Sequence, residues 1–229
     1  MFGIYNYSKI LKVISSNNLI ITNNWKKNNY NRYVLLRHDI DFSLDYALKI
    51  AKFEYKNKIK STYFFLVSSN MYNLFSRKNI KIVKNIKKLR HKISLHYDPT
   101  IHEDPKSFLI EKNIFEKIFD VKLDIISIHR PNNFFLTTNK SFYGIKHTYQ
   151  KKYFNKLTYI SDSGGRPVID LVKNYVKKKN KTGLQLLLHP IWWTFNSQSP
   201  TTTLNNWIKD NNEFTISDVA LNCKTYKLK

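Results

Sequence analysis

The 229-residue sequence has a single cysteine, Cys223. An internal disulfide framework is therefore excluded, and a reducing compartment is expected. Acidic residues are scarce, with 16 Asp and Glu against 39 Lys and Arg, a net charge of +23. Lys, Asn and Ile are spread along the whole chain, which speaks for compositional bias rather than a patch built for nucleic acid. No specific nucleic-acid partner is expected, whereas a positive field suits a phosphate-bearing substrate or an anionic membrane face. Long apolar runs are also missing, and none approaches the roughly 20 residues of a membrane span. The first residues lack a basic region followed by an apolar core and a small-residue cleavage site. The expected location is the cytoplasm, with peripheral contact at the inner face of the membrane. There is no internal repeat and no linker. With 42% hydrophobic and 15% aromatic residues, disorder is excluded and one domain over 1–229 is expected.

What is present is an alternation of apolar runs and amphipathic stretches. Apolar or β-branched runs at 33–38, 61–67, 93–96, 125–129, 157–160 and 184–188 predict buried strands. Helices are predicted at 8–14, 43–58, 78–90, from 104 onward, at 167–176 and near 204–208. Ser43 stands at an N-cap position before Leu44, Ala47, Leu48 and Ala51. Only the Tyr143-Gly144 turn can be placed between 132 and 157. Strand and helix alternating in this way argue for parallel β with covering helices.

Chemistry gathers where the strands end. The first strand runs into Arg37-His38-Asp39-Ile40-Asp41, and side chains alternate along a strand, so Asp39 and Asp41 share a face. Later runs end in His96, in His129-Arg130-Pro131, in Asp162 and in His189-Pro190. The carboxyl edge of a parallel sheet is where α/β folds build sites. Asp with neutral His makes a mixed oxygen and nitrogen donor set for a divalent metal. Other histidines read differently. His38 points away from Asp39 as a packed core residue, and His91 lies about 16 Å before His96 at strand spacing. His147 is expected at the surface. Trp192 and Trp193, close to His189, are either core or a stacking wall for a sugar ring.

The order and spacing of these motifs resemble the polysaccharide deacetylase family, carbohydrate esterase family four, over about residues 30–195. The segment 37–41 resembles its double-Asp motif with a spacer, and Thr62-Tyr63-Phe64-Phe65-Leu66 its second-strand pattern. Residues 90–97 are similar to the segment that delivers a metal-binding His. His129-Arg130-Pro131 resembles the Arg-Pro motif, and Leu187-Leu188-His189-Pro190 the final motif. The resemblance implies a distorted (β/α) barrel and a metal-dependent amide hydrolase that removes an N-acyl group, usually acetyl, from an amino sugar. It further implies Asp39 as base, His189 as general acid, Arg130 as the partner that keeps Asp39 ionised, and Asp41 and His96 as metal ligands. Zinc is the first expectation, with cobalt or manganese as alternatives. The family's second metal His falls on Thr100 here, so His102 is expected as third ligand, with Asp98 and Glu103 nearby. The fourth motif is reduced to Asp162-Ser163-Gly164-Gly165. Asp162, His129 and the two tryptophans are expected around the substrate, a nucleotide- or lipid-linked amino sugar of surface-polysaccharide (O-antigen or capsule) biosynthesis. One rival is an inactive protein of this fold that binds a glycan or nucleotide sugar; the other is a basic nucleic-acid binder.

Overall fold

The computed structural model describes residues 2–27, 29–101, 104–178 and 182–227. The chain opens with α1 (Ile4–Ser16), β1 (Ile20–Thr22), β2 (Tyr33–Ile40), α2 (Leu44–Lys56), β3 (Thr62–Leu66) and α3 (Arg77–Lys88). It continues through β4 (Lys92–Tyr97), α4 (Ser107–Phe119), β5 (Ile125–Ile128), α5 (Asn133–Thr137), β6 (Lys146–His147) and α6 (Lys151–Phe154). It closes with β7 (Thr158–Ser161), α7 (Ile169–Lys177), β8 (Leu184–Leu188), a 3-10 turn (Pro190–Trp192) and α8 (Pro200–Asn222). The expected strands and helices are found within a few residues of their predicted bounds, except that the helix expected near 204–208 extends over Pro200–Asn222. Two further regions differ. The three-residue β1 is too short to show a period, and 132–157 resolves into α5, β6 and α6, each five residues or fewer.

All strand pairs are parallel, in the order β6-β5-β4-β3-β2-β8-β7. β8 pairs with residues 34–38 of β2, while β1 takes 33–35 and β3 takes 37–40. β1 and β3 thus share one edge of β2 in succession. Among the described residues no ladder joins β6 to β7. Side chains bridge that seam instead: Gln185 donates its amide to the carbonyls of Thr148 and Tyr153 at 3.2 and 2.8 Å, and the Phe154 and Tyr159 rings meet edge to face at 4.9 Å. The expected distorted (β/α) barrel is this curled parallel sheet with its covering helices.

Three of the helices, α2, α3 and α8, start where a serine satisfies their first amides. Ser43 accepts from the Tyr46 amide, Ser76 from Asn79 and Ser199 from Thr202, each supplying a partner that the helix end otherwise lacks. The helices' apolar faces cover the outside of the sheet in two clusters. One packs α2, α3 and α4 on β3, β4 and β5 through Val83, Ile86, Leu95 and Phe115. The other packs α1 and α7 on β2 and β8 through Ile10, Leu36, Val172 and Leu186. A third, smaller cluster, with Trp25, Leu35, Phe64 and Ile125, plugs the concave interior at the amino end of the strands.

Residues on the inner face of β2 therefore climb in polarity along the strand, from Leu35 in the plug to Arg37, Asp39 and then Asp41. The outer face carries His38, as expected. Its Nδ1 donates to the Leu188 carbonyl at 2.9 Å and its Nε2 meets Glu54 at 2.8 Å. Glu54, on α2, also accepts from Ser61 at 2.6 Å, from Tyr63 at 2.7 Å and from Tyr7. His91 lies in the same buried group, its Nε2 donating to the Ala51 carbonyl. His147, expected at the surface, is buried against Phe135. No described helix is long and apolar enough to cross a membrane.

Candidate active site

The strand ends converge at the carboxyl edge of the sheet. β2 carries Asp39 and releases Asp41 just past its last residue, β4 carries His96, and β5 leads directly into His129. Asp162 follows β7 and His189 follows β8. The His96 Nε2 lies 3.4 Å from an Asp41 oxygen and 3.2 Å from the His129 Nδ1. The His129 Nδ1 lies 3.7 Å from the same Asp41 oxygen. Ligand atoms of Asp41, His96 and His129 all fall within 4.8 Å of one another. One carboxylate and two imidazoles suit a divalent ion. The buried Oδ1 atoms of Asp39 and Asp41 have no hydrogen-bond partner, as expected of atoms that face an ion or water rather than protein.

The third donor of this triad is His129, from the end of β5, where the sequence pointed to the loop after β4. His102 and Glu103, the expected third ligand and its neighbour, lie outside the described residues. Thr100 has another task. Its hydroxyl donates to Asp98 at 2.6 Å and its amide does so at 2.9 Å. The other Asp98 oxygen faces the His129 Nε2 at 3.8 Å. A carboxylate behind a ligating imidazole fixes the ring's orientation and raises its basicity.

Asp39 is almost fully buried and uses its oxygens unequally. Oδ2 accepts from Arg37 at 3.0 Å and from Ser127 at 2.9 Å, which leaves Oδ1 open toward the site. Burial alone would raise this carboxyl's pKa; the Arg37 guanidinium, aided by His96 and His189, brings it below the usual range. Asp41 is likewise held well below that range, its burial outweighed by the adjacent His96 and by His189 and His129. The guanidinium partner is thus Arg37 and not Arg130. Arg130 is exposed, with a left-handed φ of 46° that carries it out of the sheet edge. Arg37 in turn is fully buried, bonded to Gln185 at 3.1 Å, with its guanidinium over the Tyr149 ring at 5.3 Å. Strand alternation puts Arg37 on the same face as the two acids, a signal present in the sequence that the Arg-Pro resemblance drew attention away from.

His189 is gripped from behind. Its Nδ1 lies 2.5 Å from Asp162, and the same carboxylate accepts the His189 amide at 2.9 Å and the Trp193 indole at 2.7 Å. The opposite nitrogen, Nε2, faces Asp41 at 3.7 Å. Burial opposes charge on this ring, yet Asp162, with Asp41 and Asp39, pushes its pKa up to about 9. Asp162 is completely buried behind the histidine, so it orients that ring rather than meeting substrate. The tryptophans are also core. Trp192 is 5% exposed against Phe2 and Trp193 2% exposed, so neither offers a face to a sugar.

No protein-family model matches the chain, and no curated protein does. Among solved structures it is similar to a family 4 carbohydrate esterase from Bacillus anthracis, at 16% identity over 96% of this chain and 87% of that one, with a TM-score of 0.46. It is similar to the chitin deacetylase of the fungal pathogen Colletotrichum lindemuthianum, at 13% identity over 77% and 81% of the two chains, TM-score 0.43. A third is a CE4 family pseudoenzyme from Bacillus anthracis, at 16% identity over 81% of this chain, TM-score 0.45. The chain spans 62% of that pseudoenzyme's length, just under two thirds.

Proposed function

We propose that this protein is a metal-dependent hydrolase that removes an N-acyl group, acetyl in the simplest case, from an amino sugar of surface-polysaccharide biosynthesis. The observation that carries this reading is the convergence of a three-donor metal cluster, a charge-paired carboxylate and a carboxylate-backed histidine on one sheet edge. Asp41, His96 and His129 would hold the ion. Such an ion supplies Lewis-acid polarisation of an amide carbonyl and of a water molecule.

The chain's own residues divide the proton traffic. Asp39 keeps its charge through Arg37, and its open Oδ1 accepts the proton lost when water adds to the carbonyl carbon. His189 stands across the site with Nδ1–H committed to Asp162, so its Nε2–H is the one available to a leaving group. As the C–N bond breaks, the amine nitrogen takes that proton and departs as a neutral amine, leaving the carboxylic acid behind. A base and an acid gathered on one sheet edge account for both proton transfers.

Metal titration tests the site directly. His129→Ala is expected to weaken binding of Zn²⁺ by more than about tenfold, since even supporting residues of such sites contribute that much. Thr100→Ala, acting only through Asp98, is expected to have a smaller effect, and His102→Ala, measured beside them, decides whether His102 is also a ligand. If His102→Ala loses the ion and His129→Ala keeps it, the third ligand is reassigned. If the parent binds no divalent ion at all, the hydrolase reading fails, and the glycan-binding protein of the same fold replaces it.

A further inference from the structure

On the outside of the sheet, away from the site, α3 carries six cations and no acid: Arg77, Lys78, Lys81, Lys84, Lys87 and Lys88. Two of them serve the fold. Lys78 pairs with Asp45 of α2 at 2.7 Å, and Lys87 donates to the Phe119 carbonyl at the end of α4 at 3.0 Å. The side chains of the other four are exposed and, among the described residues, make no ion pair or hydrogen bond. They follow one another at steps of four, three and four. At about 3.6 residues per turn, that spacing gathers them into one outward stripe about 16 Å long. The opposite side, with Ile82, Val83 and Ile86, is buried in the core. Nothing on the neighbouring helices offsets the stripe. Glu54 and Glu111 are buried, and Asp45 is taken by Lys78. Glu116 is taken by Lys112 at 2.7 Å, and Asp120 by Lys87 at 3.5 Å.

The flanks of the stripe decide between its possible partners. On α4, Ile110 and Ile114 stand one turn apart, 62% and 38% exposed, and on α2 the Tyr55 ring is 48% exposed. A helix that reads duplex DNA enters a groove. α3 lies flat on the sheet with α2 tied to one side and α4 to the other, so it cannot enter one. Single strands are held in a basic groove with rings for successive bases to stack on, whereas this surface offers one ring and two isoleucines. An anionic bilayer presents a broad plane of negative charge above an acyl boundary. Such a plane takes cations and exposed aliphatic side chains together.

We propose that the outer face of α2, α3 and α4 docks on an anionic lipid bilayer, with Arg77, Lys81, Lys84 and Lys88 on the headgroups and Ile110 and Ile114 at the acyl boundary. Docking needs neither ion nor catalysis, so it stands or falls apart from the proposed reaction. The test is co-sedimentation of the full chain with phosphatidylcholine vesicles, pure or with roughly one-third phosphatidylserine. The parent is expected to bind the mixed vesicles only, and more weakly as salt rises. Lys81→Gln/Lys84→Gln/Lys88→Gln should bind them about a hundredfold more weakly, at about fivefold per lysine. Lys12→Gln/Lys177→Gln/Lys178→Gln removes the same charge from exposed positions on α1 and at the end of α7. It should lose less than about fivefold, the distance being screened. Ile110→Ser/Ile114→Ser should lose at least about threefold, with the salt dependence unchanged. In the parent itself, mixed vesicles should shield Lys81, Lys84 and Lys88 from acetic anhydride while Lys12 and Lys177 stay reactive. Equal losses by the two triple variants, equal labelling of the two lysine sets, or no preference for the mixed vesicles overturns the docking face. So does binding to duplex DNA or single-stranded RNA that is tighter than to the vesicles and that the α3 variant alone loses.

Discussion

Arg37 and Arg130 separate two ways in which an arginine can sit near a site. Arg37 is fully buried with Asp39 as its charge partner, and removing one member of a buried pair leaves the other uncompensated. Arg37→Met is therefore expected to destabilise the fold by about 3–5 kcal/mol and to lower activity by freeing Asp39 to protonate. Arg130→Ala should stay within about 0.5 kcal/mol of the parent, as surface changes do. Urea unfolding of the two variants checks the contrast; the reverse order would return the pairing role to Arg130. At the same scale, Asp162→Asn removes the charge behind His189 but keeps most of the shape. Turnover on an N-acetyl sugar should drop by at least about 10², the lower end of a general acid's contribution, while Zn²⁺ affinity stays close to the parent's. Unchanged turnover would take Asp162 and His189 out of the chemistry. Asp39, Asp41, His96 and His189 were legible in the sequence because each ends an apolar run. Asp162 was legible at a strand end, but not that it lies buried behind His189, since only packing decides which side of a histidine a carboxylate occupies.

The strands and long helices were legible for the same reason that they are stable. Runs such as Val34-Leu35-Leu36 and Leu184 to Leu188 are buried on both sides, and helical periodicity marks α2, α3 and α4. What escaped was β1 and the pieces between 132 and 157, which are held by contacts distant in sequence, such as Tyr153 to the Trp25 carbonyl at 2.6 Å. The Glu54 cluster escaped as well. A glutamate on an amphipathic helix normally faces water, yet this one is completely buried and ties α1, β2, α2 and β3 together. Its burial would raise its pKa, but His38, with His91 and Ser61, pulls it down to about 2 from 4.5. A depressed carboxyl contributes stability above its unfolded pKa and loses it as pH falls through the folded value. The parent should therefore lose on the order of 3 kcal/mol between about pH 4.5 and pH 2 from this group alone. Glu54→Gln should start less stable at pH 7 and show a shallower decline over that window. Equal slopes in acid unfolding would show that the carboxylate is not ionised in the native state.

At the scale of the molecule, the sheet and its interior form the stable body, and α8 extends from it. Among its residues only Thr203 is buried, and every described residue from 209 to 219 is exposed. The Tyr46 hydroxyl reaches Asp210 at 2.8 Å, and beyond it the exposed Phe214 ring meets the Lys78 ammonium at 4.6 Å. A chain ending at residue 212 should melt within about 2 °C of the parent, because a segment with little burial adds little to stability. A larger drop in a calorimetric scan would mean that the second half of α8 is covered in solution.

The seam between β6 and β7 bears on how such a protein would fail. Gln185 holds it with its amide nitrogen and, through its oxygen, grips the guanidinium that keeps Asp39 charged. Warmth that lets the rim there breathe would slacken Gln185 first, since side-chain clasps part at lower cost than a hydrogen-bonded ladder. Asp39, the proposed base, would then lose support for its countercharge while nearly every helix and strand was still in place. Inactivation should precede melting, with catalysis fading several degrees below the midpoint seen by circular dichroism. Gln185→Leu should widen that interval, and a substitution on α8 should leave it alone. If the two curves coincide in the parent, the rim and the body come apart as one.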